Sequence, residues 1–132
     1  MTFPDAVRRC FTLYATFSGR ARRSEFWFFW LFNLLAHGVA GILDAAIFGM
    51  ASPLNAIVSL LLLVPNLAVA VRRLHDVGRS GWWLLIFLVP LVGIVVLLIW
   101  YVSRGEDGPN RFGDDPRAIW QAGTAPPWPV GR

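Results

Sequence analysis

From Phe26 onward the chain alternates long apolar runs with short polar breaks. Phe26 to Leu43 carries no formal charge, and its apolar character continues past Asp44 to Phe48. Ala45 to Val71 is also uncharged but is interrupted by Gly49, Ser52 and Pro53, and Ser80 to Ser103 is uncharged again. A membrane helix needs about 20 mostly apolar residues to cross a hydrocarbon core of about 30 Å. The pattern therefore predicts an all-α membrane protein with three transmembrane helices, near 26–48, 53–71 and 81–102. A re-entrant alternative for the third, folded at 90–93, leaves arms of fewer than ten residues each, short for a crossing,.

Local punctuation agrees with these limits. Ser24 and Glu25 suit a helix start, Ser52-Pro53 reads as N-cap followed by first turn, and Ser80 is placed to cap the third span,. Pro65 and Pro90 lie inside spans two and three, where they predict kinks,. Ahead of the first span, Phe3, Val7, Cys10, Phe11 and Tyr14 recur at helical spacing with Arg8 and Arg9 on the other side,. Pro4 and Asp5 mark its start and Gly19 its end, which predicts an amphipathic helix lying in the membrane interface,. The alternative is an ordinary helix packed on the bundle. After Arg104 the chain is loop-like, and the Pro/Gly/Trp-containing stretch 118–132 is expected to be disordered,. Residues 1–117 then form one helical membrane domain.

Composition strengthens this reading. The chain is 56% hydrophobic and 15% charged, against about 25% charged residues in ordinary soluble domains. So small a domain cannot bury that much apolar surface in its own core. A single cysteine, Cys10, excludes an intrachain disulfide. The first apolar run is too long for a signal-peptide core and lacks a good cleavage site, so it is read as retained,.

Charge sets the orientation. The 12 basic side chains are all arginine. Five precede the first span, three lie between spans two and three, and none lies in the loop 49–52. Arginine excess marks cytoplasmic segments, so the N-terminus and the loop 72–80 are expected inside,. Three crossings then put the tail outside, although it carries four arginines. Trp27, Trp30, Trp82 and Trp83 fall at the inner boundary in this scheme, with Trp100 and Tyr101 at the outer one,.

Four motifs carry a resemblance. Phe17-Ser-Gly-Arg-Ala-Arg-Arg-Ser-Glu-Phe-Trp27 opens the series, and Arg72-Arg-Leu-His-Asp-Val-Gly-Arg-Ser-Gly-Trp-Trp83 follows. Pro90-Leu-Val-Gly93 and Asn110-Arg-Phe-Gly-Asp-Asp-Pro116 complete it. In this order, over roughly residues 10–117, the chain resembles the domain of unknown function 805 family of small bacterial inner-membrane proteins. The resemblance implies a multi-pass location in the bacterial inner membrane and brings no activity with it.

The candidate binding residues are Arg20, Arg22, Arg23, Glu25, Trp27, Arg72, Arg73, His75, Asp76, Arg79, Trp82, Trp83, Asn110 and Arg111. Guanidinium groups bind phosphate oxygens in bidentate fashion, and beside apolar runs they point to anionic lipid headgroups rather than nucleic acid. Such groups also serve simply as topology signals. His75 beside Asp76 has the composition of an acid–base pair, but neighbours in sequence do not face one another on a helix,. The plainer expectation is that Asp76 pairs with Arg20, Arg22, Arg23 or Arg73 while Gly78 makes a turn. No catalytic, cofactor or metal site is assigned: Glu25, His75 and Asp76 lack the spacing of a metal ligand set,. Asp44 is expected at an interface, and His37 is expected to bond Asn33 or Asn66 as interhelical glue,. Asn110 and Gly113 suit a folded turn, in which Arg111 would pair with Asp114 or Asp115,.

The function read from these features is a non-enzymatic inner-membrane module. Its Arg/Trp-rich face would bind anionic phospholipid, another copy of itself or another membrane protein. An oligomeric transporter or channel subunit lined by His37, Asn33 and Asn66 is the alternative, and a lipid-headgroup enzyme using Arg72, Arg73, His75 and Asp76 is a third reading.

Overall fold

The computed structural model describes residues 2–116, and the segment 118–132, expected to be disordered, lies outside them. The described elements are helices: α1 (Phe3–Thr12), α2 (Arg23–Phe48), α3 (Pro53–Asp76), a 3-10 helix (Gly81–Leu88) and α4 (Val92–Val102). An isolated bridge pairs Asn110 with Gly113.

α2 and α3 have 26 and 24 residues, so they extend about 39 and 36 Å at 1.5 Å per residue. Both are long and apolar enough to cross a membrane. They run antiparallel, with Glu25 against Arg72 at one end and Asp44 against Leu54 at the other. Their outward faces are hydrocarbon: Ile42 and Leu60 are each 71% exposed. A helix apolar on its solvent-facing side is solvated by lipid, since water would penalise that area. α3 continues through the buried Pro65 without ending there.

Residues 81–102, expected to form one continuous crossing, form two short arms instead. The 3-10 helix has 8 residues and α4 has 11. At about 2.0 and 1.5 Å per residue each arm extends about 16 Å, roughly half the hydrocarbon core. The break sits at Val89-Pro90-Leu91. Pro90 has no N–H to continue a helix, and Leu91 takes a left-handed φ of 63°. The arms then close on each other because Gly93 has no side chain: a Cβ there would lie 1.7 Å from the Ile86 carbonyl oxygen. The tip satisfies its own backbone, with Val89 N–H donating to Ile86 O at 2.9 Å and Gly93 N–H to Val89 O at 2.9 Å.

Both ends of this hairpin lie at the Arg72–Asp76 end of α3. At its start, Arg79 N–H donates to Leu74 O at 2.8 Å. At its finish, Trp27 Nε1 donates to Tyr101 O at 3.1 Å, and the Arg73 guanidinium donates to Ser103 O. Glu106 N–H then donates to Asp76 O at 2.7 Å. Trp100 and Tyr101, expected at the opposite boundary, therefore sit with the other aromatics. Trp100 meets Trp83 edge-on at 5.7 Å, and Tyr101 stacks on Phe26 at 4.3 Å.

α1 begins in a capping box, with Thr2 and Asp5 bonding each other's backbone N–H,. It ends at Thr12 rather than at Gly19, which bends the linker with φ 88°. Its apolar face lies on the bundle. Ala6 and Cys10 are buried, Phe11 packs edge-on against Phe29 and Phe32, and the Tyr14 hydroxyl donates to Leu61 O. This is the bundle-packed alternative, and Arg8 remains exposed.

Candidate functional site

The end of the bundle where α2 begins and α3 finishes gathers two carboxylates, each held between two guanidinium groups. Glu25 is in the first turn of α2 and fully buried. It receives Arg9 Nε at 2.8 Å and Arg72 Nη1 at 2.5 Å. Asp76 ends α3 and receives Arg20 Nε at 2.9 Å and the neighbouring Arg73 guanidinium. Burying these charges singly would cost several kcal/mol each, so the pairing is what makes the arrangement tenable. The pairing expected of Asp76 is realised with Arg20 and Arg73. Arg9, read as a surface residue of α1, is instead 7% exposed and part of the Glu25 cluster.

The remaining arginine donors staple the chain after α4. Arg20 Nη1 donates to Gly108 O at 2.6 Å and its Nη2 to Glu106 O at 2.5 Å. Arg73 donates to Tyr101 O at 3.3 Å and Ala21 O at 3.4 Å. Planar guanidinium with five donors suits this multiple carbonyl capture, which one ammonium could not reproduce. Gly105 is required here, because a Cβ on it would meet Asp76 Oδ2 at 1.9 Å.

His75 does not face Asp76. Its Nδ1 lies 2.9 Å from Gly19 O, and its ring stacks on Phe112 at 4.1 Å with only 2° between the planes. Asn110 Nδ2 donates to His75 O at 2.9 Å and to Glu106 Oε1 at 2.8 Å. The Asn110–Gly113 turn forms as expected, with Phe112 N–H donating to Asn110 Oδ1 at 2.9 Å,. Arg111 lies over the Phe112 ring at 4.6 Å, while Asp115 accepts from Gly108 N–H at 3.0 Å. The Asn-Arg-Phe-Gly segment thus closes over the His75 end of α3.

The fourteen candidates divide by burial. Arg20, Glu25, Arg72, Arg73, His75 and Asp76 are internal. Arg23, Arg79, Arg111, Trp82 and Trp83 are exposed, and Arg22, Trp27 and Asn110 are half-buried. Arg79 lies 5.0 Å above the Trp100 ring, and Arg23 Nη1 donates to Val102 O at 3.0 Å. Cys10 Sγ lies 3.8 Å from Glu25 Oε2. Burial first, and then the Glu25 charge, push this thiol well above its usual range, away from a reactive thiolate,.

The polar groups deeper in the bundle bond one another. Asn33 and Asn66 form a reciprocal amide pair at 2.9 and 2.7 Å. His37 Nδ1 lies 2.9 Å from Asn55 Oδ1, so its partner is neither of the two asparagines expected. Asp44 is 2% exposed and accepts from Leu54 N–H at 2.9 Å and Asn55 N–H at 3.0 Å. It caps α3 from across the hairpin, a role assigned in sequence to Ser52, which makes no side-chain cap bond. Ser80 does cap, accepting from Trp82 N–H at 3.3 Å.

The model for a protein of unknown function, DUF805, matches residues 14–114. Inner membrane protein YhaI of Escherichia coli (strain K12) is 44% identical over 105 residues, covering 79% of this chain and 88% of that protein. Inner membrane protein YhaH of the same strain is 42% identical over 108 residues, covering 79% and 89% respectively. No solved structure matches. Helices with the length and hydropathy of spans, together with relatives named as inner-membrane proteins, make this a membrane protein. With that match over most of its length, the chain belongs to the DUF805 family.

Proposed function

We propose that this protein is a non-enzymatic module of the bacterial inner membrane, with two full crossings, one re-entrant hairpin and both ends of the described chain on the cytoplasmic side. The observation that carries it is the return of α4 to the Arg72–Asp76 end of α3, where Arg73 and Trp27 hold its last carbonyls. In that topology every described arginine belongs to one face, and Arg104 and Arg111 no longer oppose the positive-inside rule,. The function of that face is anchorage to anionic phospholipid, and through it the docking of another membrane protein or a second copy.

Burial separates two kinds of arginine in this reading. Arg9, Arg20, Arg72 and Arg73 hold the fold together. Arg23, Arg79 and Arg111, with Trp82 and Trp83, face the headgroups. Each basic side chain near an anionic surface contributes about 1 kcal/mol of attraction. Replacing Arg23, Arg79 and Arg111 together with glutamine is expected to strip anionic lipid from the purified protein, with only the small stability loss of their exposed contacts to Val102 O and the Trp100 and Phe112 rings,. Full retention of that lipid by the triple variant would overturn the anchoring function.

A further inference from the structure

Where α3 passes into the 3-10 helix there is a cleft of about 510 Å³, lined by Phe17, Val71, His75, Ser80, Gly81 and Trp82. Three of these supply apolar walls, and Trp82 is 79% exposed. The polar groups have opposite hydrogen-bonding sense. His75 is 8% exposed, and its Nδ1 is directed at the Gly19 carbonyl. A carbonyl only accepts, so in the neutral ring Nδ1 carries the proton and Nε2 is left as an acceptor. Among the described residues the ring makes its one hydrogen bond through Nδ1. Phe112, stacked flat against the imidazole, fixes the plane of that acceptor.

The donors come from Ser80 and Gly81 in the same lining. Ser80 Oγ already accepts from Trp82 N–H, so its proton is available to a ligand,. Gly81 N–H opens the 3-10 helix and has no carbonyl behind it within that helix,. The exposed Arg79 immediately precedes them. Arg79, beside Ser80, and Arg111, over the Phe112 ring that stacks on His75, are both positive and exposed, which disfavours an ammonium ligand there. The complementary ligand carries phosphate oxygens for Ser80, Gly81 and Arg79, a hydroxyl for His75, and hydrocarbon for Phe17, Val71 and Trp82.

We propose that this cleft binds the headgroup of a hydroxylated anionic phospholipid, of the phosphatidylglycerol kind. The proposal rests on the anchoring function above and sharpens it from general attraction to a headgroup-selective site. The test reconstitutes the full chain in phosphatidylcholine nanodiscs doped with equal amounts of phosphatidylglycerol, phosphatidic acid or phosphatidylethanolamine, and counts bound lipid by native mass spectrometry. Phosphatidylglycerol is expected to be retained about tenfold over phosphatidic acid, which has the phosphate without the glycerol hydroxyls. Trp82→Ala should lower that retention with unfolding unchanged, Ser80→Ala should lower it alongside the small stability loss of a missing helix cap,, and His75→Phe, which preserves a ring for Phe112, should erase the preference. Equal retention of phosphatidylglycerol and phosphatidic acid by the unmodified protein would overturn the headgroup assignment and leave anchoring standing. Retention of phosphatidylethanolamine equal to both would remove anchoring as well. Soluble glycerophosphoglycerol binding as tightly as the lipid would overturn the assignment to a membrane ligand.

Discussion

Replacing Glu25 with glutamine removes the one negative charge shared by two buried guanidinium groups. Arg9 and Arg72 approach its carboxylate at 2.8 and 2.5 Å, and the glutamate and Arg72 side chains are fully buried. Breaking a buried pair from one side costs about 3–5 kcal/mol, because the surviving charge keeps its desolvation penalty. With two arginines stranded, the upper half of that range is expected. This corresponds to more than a hundredfold shift of the folded-to-unfolded ratio, at about 1.4 kcal/mol per decade. A matched control exists in the Arg104–Asp107 pair, formed at 3.0 Å by side chains 67% and 77% exposed. Screened by solvent, it contributes about 0–1 kcal/mol, so Asp107→Asn should be nearly silent. Both variants can be measured by SDS-induced unfolding in mixed micelles, followed by tryptophan fluorescence. Replacing Glu25, Arg9 and Arg72 together with apolar residues of similar size should recover part of the loss, since no charge is then left unpaired. Indistinguishable unfolding of Glu25→Gln and Asp107→Asn would refute the idea that internal ion pairing holds this end together.

Other substitutions test other parts of the fold. Gly93→Ala places a Cβ against the Ile86 carbonyl and should destabilise the hairpin by at least about 1–3 kcal/mol,. Gly38→Ala, with no atom within 4 Å of the new Cβ, should not destabilise α2. A double-mutant cycle on Asn33→Leu and Asn66→Leu should give a coupling of about 0.6–2 kcal/mol for the interhelical amide pair, read in the same SDS titration,. Cys10 should resist maleimide in the folded protein at neutral pH and react once SDS unfolds it, because burial and Glu25 both disfavour the thiolate,.

The three uncharged runs, the helix starts at Pro4 and Pro53 and the turn at Gly78 were legible because each depends on local chemistry. The pairing of Asp76 with Arg20 and Arg73 was legible in outline, since a carboxylate among arginines has few other ways to be buried. The hairpin was legible only as the alternative folded at 90–93, set aside because its arms are short for a crossing,. Hydropathy reports that a run avoids water, and a lipid-facing arm of 8 residues looks the same as half of a long helix. What decides between them is the approach of Gly93 to the Ile86 backbone and the capture of the α4 carbonyls by Arg73, both of which are tertiary contacts. The capping role of Asp44 was out of reach for a similar reason: its backbone partners lie ten and eleven positions away, across a turn. Arg9 lies off the apolar stripe of α1, where helical periodicity alone does not separate a solvated arginine from one folded onto a buried glutamate.

Substituted-cysteine labelling in intact cells tests the re-entrant topology most directly. In a Cys10→Ser background, single cysteines at Met50, fully exposed in the turn between α2 and α3, and at Asp107, after α4, would be treated with a membrane-impermeant maleimide. The two-crossing arrangement predicts labelling at position 50 in intact cells and at position 107 only after permeabilisation. Labelling of both positions in intact cells would mean that residues 81–102 cross the bilayer completely.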